Sequence, residues 1–199
     1  MIDCYFEMII YLIAQSESLF NIGLFAFNRN KIQAATINHV LLGKIIQFSN
    51  MSFKDLNLSN QLLKALDELG LTEPTTIQQR AFAPIMAGRD VLGIAQTGTG
   101  KTYAYLLPLM RLWKYSKALL PEILILVPTR ELVIQVLEET NKLGKYSNIL
   151  AVGAYGGGNI NVQMAEVHKG ANIVVATPGR LLDLILKGTI NPKLIKKLV

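Results

Sequence analysis

Chemistry-bearing residues are concentrated in one stretch, Ala95-Gln96-Thr97-Gly98-Thr99-Gly100-Lys101-Thr102. Val91-Leu92-Gly93-Ile94 just before it reads as a short apolar strand. Tyr103, Leu106, Leu107 and Met110 after it fall at helical spacing. Strand, glycine loop, Lys-Thr and helix make a phosphate-binding context. Gly98 and Gly100 let the backbone curl so that successive N–H groups point inward, at the positive end of the following helix. Lys101 adds a full charge for the β- and γ-phosphates of a nucleotide, and the Thr102 hydroxyl can ligate Mg²⁺. Ala95 stands where the strict Walker pattern has its first Gly. The plainer alternative is a glycine turn between strand and helix.

The elements that must position this loop can be read from periodicity. Ser59 is a candidate N-cap for a helix with the apolar stripe Leu62, Leu63, Leu66 and Leu69, stopped by Gly70. Pro74-Thr75-Thr76-Ile77-Gln78-Gln79 opens a second helix, with Thr75 or Thr76 as cap and Pro84 as a candidate kink. Gly88-Arg89-Asp90 turns into the loop strand. Strands are then expected at Ile123–Val127, Ile149–Ala154 and Ile173–Ala176, with helices over 130–143, to about His168, and over 178–187. Pro192 begins a last short helix, and Leu198-Val199 reads as the start of another strand. Continuously apolar strands separated by helices mean an α/β fold with a parallel sheet covered on both faces. Ligands in such sheets sit at the carboxyl ends of the strands. Ala95–Thr102, Pro128–Glu131, Gly156–Gly158 and Thr177–Arg180 all follow strands and are expected on one rim.

Each of the other stretches has two readings. Pro128-Thr129-Arg130-Glu131-Leu132 is a helix start capped by Thr129, or a backbone-binding loop. In Thr177-Pro178-Gly179-Arg180, Thr177 caps and Pro178 takes the first helical position. A capped helix start beside an Arg is also a phosphate clamp. Gly156-Gly157-Gly158 is slack in a loop, or a place where a nucleic-acid backbone can approach. His168 has no second ligand at metal spacing, and Trp113 reads as packing. Gln78 at a helix start is ordinarily surface, yet a Gln amide matches adenine N6 and N7 together. Phe53 offers an aromatic face that could stack on such a base.

Of the 20 basic and 14 acidic residues, three of each lie in residues 1–50, leaving 17 and 11 beyond. The formal charge of +6 therefore belongs wholly to residues 51–199 and favours a polyanionic partner. Cys4 is the only cysteine, so no disulfide partner is expected, and a reducing, cytoplasmic compartment is the default. Residues 1–50 differ in composition from the rest, with apolar runs at Met8–Ala14 and Leu19–Phe27. Neither run approaches the ~18–20 residues of a membrane span, and Asp3 and Glu7 do not suit a signal peptide. A buried amphipathic appendage, a membrane-surface segment and upstream sequence translated in error are the alternatives. The third is favoured on composition, with Met51 the natural start of a compact domain.

Taken together, these stretches resemble the DEAD-box ATP-dependent RNA helicases over about residues 51–199. Phe53 and Gly70-Leu71-Thr72-Glu73-Pro74-Thr75-Thr76-Ile77-Gln78 are similar to that family's Q motif. Ala95–Thr102 resembles its motif I, in which Ala is the usual first residue. Pro128–Leu132 with Gln135 resembles motif Ia, although Val133 replaces the usual Ala. Gly156-Gly157 resembles the GG element and Thr177–Arg180 motif Ib. The resemblance implies a partial RecA-like P-loop NTPase domain over residues 80–199, a Q-motif region over 51–79, and ATP with Mg²⁺ as cofactors. It implies that Gln78 recognises adenine and Phe53 stacks on it. Thr97, Gly98, Thr99, Gly100, Lys101 and Thr102 would hold the phosphates, with Lys101 and Thr102 serving catalysis and Thr102 the metal. Pro128, Thr129, Arg130, Gly156, Gly157, Thr177, Gly179 and Arg180 would lie along an RNA backbone, with contacts that read no sequence.

The family's Asp-Glu-Ala-Asp and Ser-Ala-Thr motifs are not in these 199 residues, nor is the second RecA-like domain that completes the family's core. Asp183 and Glu138-Glu139 lie on helices and do not end a strand as a Mg²⁺-binding acid should. The chain is therefore expected to be an N-terminal fragment with hydrolysis near background. Val91–Ile94 is expected to be left with unpaired backbone groups and an apolar edge, an aggregation liability. The alternatives are a non-catalytic nucleotide- or RNA-binding fragment, or another P-loop ATPase such as a DNA helicase. Preference for adenine over guanine nucleotides separates the last of these.

Overall fold

The computed structural model describes residues 24–27, 51–115, 117 and 119–199. Readings made above for the rest of residues 1–50 lie outside the described residues. The exception is a strand, β1 (Leu24–Phe27).

From residue 51 the chain enters through a 3-10 turn at Phe53–Leu56, closed by Ser52, whose N–H and hydroxyl both donate to the Asp55 carboxylate. Helix α1 (Asn60–Glu68) starts at Ser59, whose hydroxyl accepts from the Leu62 N–H at 3.3 Å. It ends as its glycine stop requires. Gly70 sits at φ 68°, its N–H donates to the Asp67 carbonyl, and the Leu71 N–H donates to the Leu66 carbonyl. That pair of bonds satisfies carbonyls the helix would leave orphaned. Helix α2 (Thr76–Met86) takes Thr75 as its cap and runs unbroken through Pro84.

Five strands and four helices then alternate. They are β2 (Asp90–Gly93), α3 (Lys101–Leu112), β3 (Ile123–Leu126), α4 (Arg130–Gly144), β4 (Ala151–Ala154), α5 (Ile160–Lys169), β5 (Ile173–Ala176), α6 (Pro178–Leu186) and β6 (Lys197–Leu198). The expected final helix at Pro192 is a single 3-10 turn, Pro192–Leu194. Strands β4, β5, β3 and β6 form one parallel sheet in that order. Alternate residues of its strands enter two separate cores. Ile123, Ile125, Ile173 and Val175 pack with Leu62 and Leu66 of α1, Leu106 of α3, and Val133 and Val136 of α4. Leu124, Val174 and Ala176 face the other way, against Val167 of α5 and Leu181 and Leu184 of α6. The parallel sheet with helices on both faces is thus what the side-chain period of two builds.

Two local expectations change. The strand expected at Ile149–Ala154 begins only at Ala151. The buried Asn172 explains the delay: its Oδ1 accepts from the Leu150 N–H at 2.9 Å, and its own N–H donates to the Leu150 carbonyl at 2.8 Å. A side chain thus replaces a ladder partner. The second correction concerns Val91–Ile94. The strand is Asp90–Gly93, and it is not unpaired, since β1 lies antiparallel to it with Leu24 opposite Gly93 and Phe27 opposite Asp90. An apolar, β-prone segment answers the open hydrogen-bonding groups of the edge. Among the described residues β2 has no other strand partner, and the β1–β2 ribbon is separate from the four-stranded sheet. No helix of the described residues is long and apolar enough to cross a membrane.

Candidate nucleotide loop and nucleic-acid interface

The loop between β2 and α3 has the curl its glycines allow. Gly98 lies at φ 80° and Gly100, the N-cap of α3, at φ 83°. Both angles fall where a side chain is strained. Within the loop the Thr99 hydroxyl donates to the Gln96 carbonyl at 2.7 Å. The Lys101 ammonium donates to the carbonyls of Ala95 and Gln96, at 2.9 Å for the latter. Lys101 and Thr102 are the first two residues of α3, where helix N–H groups lack intrahelical partners. A backbone curl at φ near 80°, a cation and a hydroxyl at one helix head are the donor set a Mg²⁺-bound polyphosphate requires, so these residues fit such a ligand. Burial pushes the Tyr105 phenol up to about 12, and the neighbouring Thr102 hydroxyl pulls it partly back.

Gln78 is built into this loop. It is 5% exposed; its Oε1 accepts from the Thr75 N–H at 3.0 Å, and its Nε2 donates to the Gly100 carbonyl at 3.2 Å. The first bond completes a capping box with Thr75. The second fastens α2 to the head of α3, and Ile77, Ala81 and Ala104 pack behind it. A Gln side chain has four hydrogen-bonding sites, so one lone pair and one N–H remain for a ligand. Phe53 is elsewhere: 4% exposed, it packs in the main core with Leu56, Leu58 and Phe82. Stacking on a base would require that ring to be uncovered.

The three later stretches converge at the carboxyl ends of β3, β4 and β5. Pro128, Thr129 and Arg130 are exposed, and the Thr129 hydroxyl caps α4 by accepting from the Leu132 N–H at 3.3 Å. Glu131 is held below the usual carboxylate range by its own backbone N–H first, then by the Thr129 hydroxyl and Arg130. The Arg130 guanidinium lies 4.9 Å from the centre of the Tyr155 ring. Gly156 and Gly157 are exposed on the next turn, with Gly157 at φ 81°. From the third stretch Arg180 reaches back to donate to the Gly158 carbonyl at 3.1 Å. Gly179 is exposed, and an added Cβ there would meet nothing within 4 Å.

The expectation of one shared rim therefore holds by direct contact for these three stretches. The loop at 95–102 belongs instead to the β1–β2 ribbon and reaches the rim's helix through Tyr103. That residue follows Thr102, and its hydroxyl donates to Glu139 on α4. Burial first, and then the carboxylate, push the Tyr103 phenol up. Burial also pushes Glu139 up, but hydrogen bonds from Lys142 and Tyr103 outweigh it and hold the carboxyl low. In the sequence Tyr103 reads only as part of a helical stripe and Glu139 only as a helix acid, and nothing there marks Gln163, whose amide lies beneath the glycine turn. Among the described residues no three His, Cys, Asp or Glu side chains form a metal cluster.

A parallel α/β sheet with a glycine-curled loop at one helix head and a polar rim defines a nucleotide-binding domain of the P-loop class. The family model for the DEAD/DEAH box helicase matches residues 75–198. The chain is similar to DEAD-box ATP-dependent RNA helicase 30 of Arabidopsis thaliana, 43% identical over 140 residues, 67% of this chain and 23% of that protein. It is similar to RhpA of Helicobacter pylori strain B128, 41% identical over 148 residues, 74% of this chain and 30% of that protein. ATP-dependent RNA helicase DeaD of Escherichia coli K12 is 45% identical over 142 residues, 70% of this chain and 22% of that protein. The chain belongs to the DEAD/DEAH box helicase family, and it spans less than a third of the length of these relatives.

Proposed function

We propose that this chain is part of a cytoplasmic ATP-dependent RNA helicase, holding ATP at the loop and an RNA backbone along the rim. ATP phosphates lie against Thr97–Thr102, Lys101 adds charge, and Thr102 ligates Mg²⁺. The metal, when bound, neutralises charge on the terminal phosphates. Gln78 recognises adenine with the amide sites that Thr75 and Gly100 leave over, in a Q motif that Phe53 begins. Pro128, Thr129, Arg130, Gly156, Gly157, Thr177 and Gly179 follow the sugar–phosphate chain. A second RecA-like domain completes the hydrolytic site.

The observation that supports this most is the convergence of Arg130, the Gly156–Gly157 turn and Gly179 on one rim. Exposed glycines and a cation offer close approach and charge but no base-reading groups. Binding of a fluorescent oligouridylate to the whole chain should therefore weaken steeply with salt. Arg130→Gln should lower the slope of log K against log[salt] by about 0.7, one single-strand phosphate contact. An unchanged slope would remove Arg130 from the interface. Equal affinity for a DNA strand of matching sequence would favour another kind of P-loop ATPase.

A further inference from the structure

We infer that Gln163 and Arg180 are positioning residues that brace the glycine turn for RNA, and that Arg180 is not itself a phosphate clamp. The inference rests on the RNA reading above and departs from the clamp role that the family resemblance implies for Arg180. The Arg180 side chain is only 10% exposed. Its Nη1 donates to Gln163 Oε1 at 2.7 Å and its Nη2 to the Gly158 carbonyl at 3.1 Å. Its Nε lies 3.6 Å from Asp183 Oδ2. Both terminal nitrogens of the guanidinium are thus bonded within the protein and its Nε is buried with no hydrogen-bond partner, so a phosphate could reach the terminal nitrogens only in competition with Gln163 and the Gly158 carbonyl.

Gln163 completes the brace. It is 6% exposed, and while its Oε1 receives Arg180, its Nε2 donates to the Tyr155 carbonyl at 3.1 Å. The turn is pressed against this amide, since a Cβ added to Gly158 would come within 3.1 Å of Gln163 Nε2. The carbonyls on both sides of Gly156-Gly157 are therefore drawn inward, one by each side chain. Every peptide here is trans, so C=O and N–H point oppositely across each unit. Fixing the Tyr155 and Gly158 carbonyls inward therefore turns the N–H groups of Gly156 and Asn159 outward, toward the rim. Tyr155 is also the ring on which Arg130 rests, so the same brace sets the seat of the exposed cation. Two buried side chains thereby orient backbone donors and an arginine for an anionic chain without touching it.

The test uses the whole 199-residue chain and a fluorescent oligouridylate dodecamer. Gln163→Leu, Arg180→Gln and Arg180→Lys should each weaken binding about tenfold. Gln163→Leu with Arg180→Gln should be no worse than either alone, because both break one unit. The salt slope should stay at the parent value in all four. A fall of about 0.7 in slope for Arg180→Gln, restored by Arg180→Lys, would show a direct phosphate contact and overturn the proposal. Independently of RNA, amide hydrogen exchange over residues 155–159 should rise at least tenfold in Gln163→Leu while α4 stays protected. Unchanged exchange there would show that no brace exists. If the parent chain binds no oligouridylate, the RNA reading fails and the positioning role with it, and exchange still reports on the brace alone.

Discussion

Gly100→Ala destabilises the chain by about 3 kcal/mol and lowers its melting temperature by roughly 6–12 °C. Two costs combine. At φ 83° an alanine is strained by about 1–2 kcal/mol. Its Cβ would also stand 2.4 Å from Gln78 Nε2, which forces the amide off the Gly100 carbonyl and disturbs the Thr75 capping box. Gly98→Ala is the internal control. Its φ is 80°, but nothing lies within 4 Å of the added Cβ, so only the backbone strain applies. Thermal melts of the two variants should differ by more than 1 kcal/mol. Adding Gln78→Ala to Gly100→Ala should recover part of the loss, because the clashing group is gone. Equal melting temperatures for the two glycine variants would show that Gln78 does not bear on the loop.

Lys101→Ala lowers affinity for ATP by about 10- to 100-fold, the loss of a charge-assisted contact worth roughly 1.5–3 kcal/mol. Adenosine, which has no phosphates, should bind both proteins equally. Titration of labelled ATP and of adenosine separates the two effects. RNA affinity without nucleotide should change less than twofold, since Lys101 donates to loop carbonyls and lies off the rim. Phosphate release by the parent chain should stay no higher than that of Lys101→Ala. Among the described residues Asp183 sits on α6 beside Arg180 and Glu139 is engaged by Tyr103 and Lys142, so neither is placed to hold Mg²⁺. Equal ATP affinity in the variant would remove the phosphate assignment.

The parts of the fold that periodicity controls were legible. Ile123–Leu126 and Ile173–Ala176 are apolar throughout because both their faces are covered, and that run of residues is visible without coordinates. Two caps were legible for the same local reason: Ser59 and Thr129 bond the N–H three residues on, whereas Thr177, also expected to cap, makes no side-chain cap bond. What depends on distant partners was not. Nothing near Asp90–Gly93 names Leu24–Phe27 as its companion, and nothing near Ile149 shows that Asn172 will take its neighbour's hydrogen bonds. Phe53 looks like a free aromatic until α1 and Phe82 close over it. Arg180 at a helix start reads as a clamp, and only a glutamine seventeen residues back turns it inward. Gln163 itself, on an amphipathic helix, reads as one more surface amide.

The grip of Lys101 on the carbonyls of Ala95 and Gln96 makes the loop its own competitor. On the proposed reading, an incoming nucleotide must draw the ammonium away before the helix head can receive it, so uptake would be gated by an internal release. Measured affinity is then the intrinsic value scaled by the fraction of molecules already let go. Were that fraction about one in a hundred, two orders of magnitude in ATP affinity would be hidden in a single lysine's choice of acceptor.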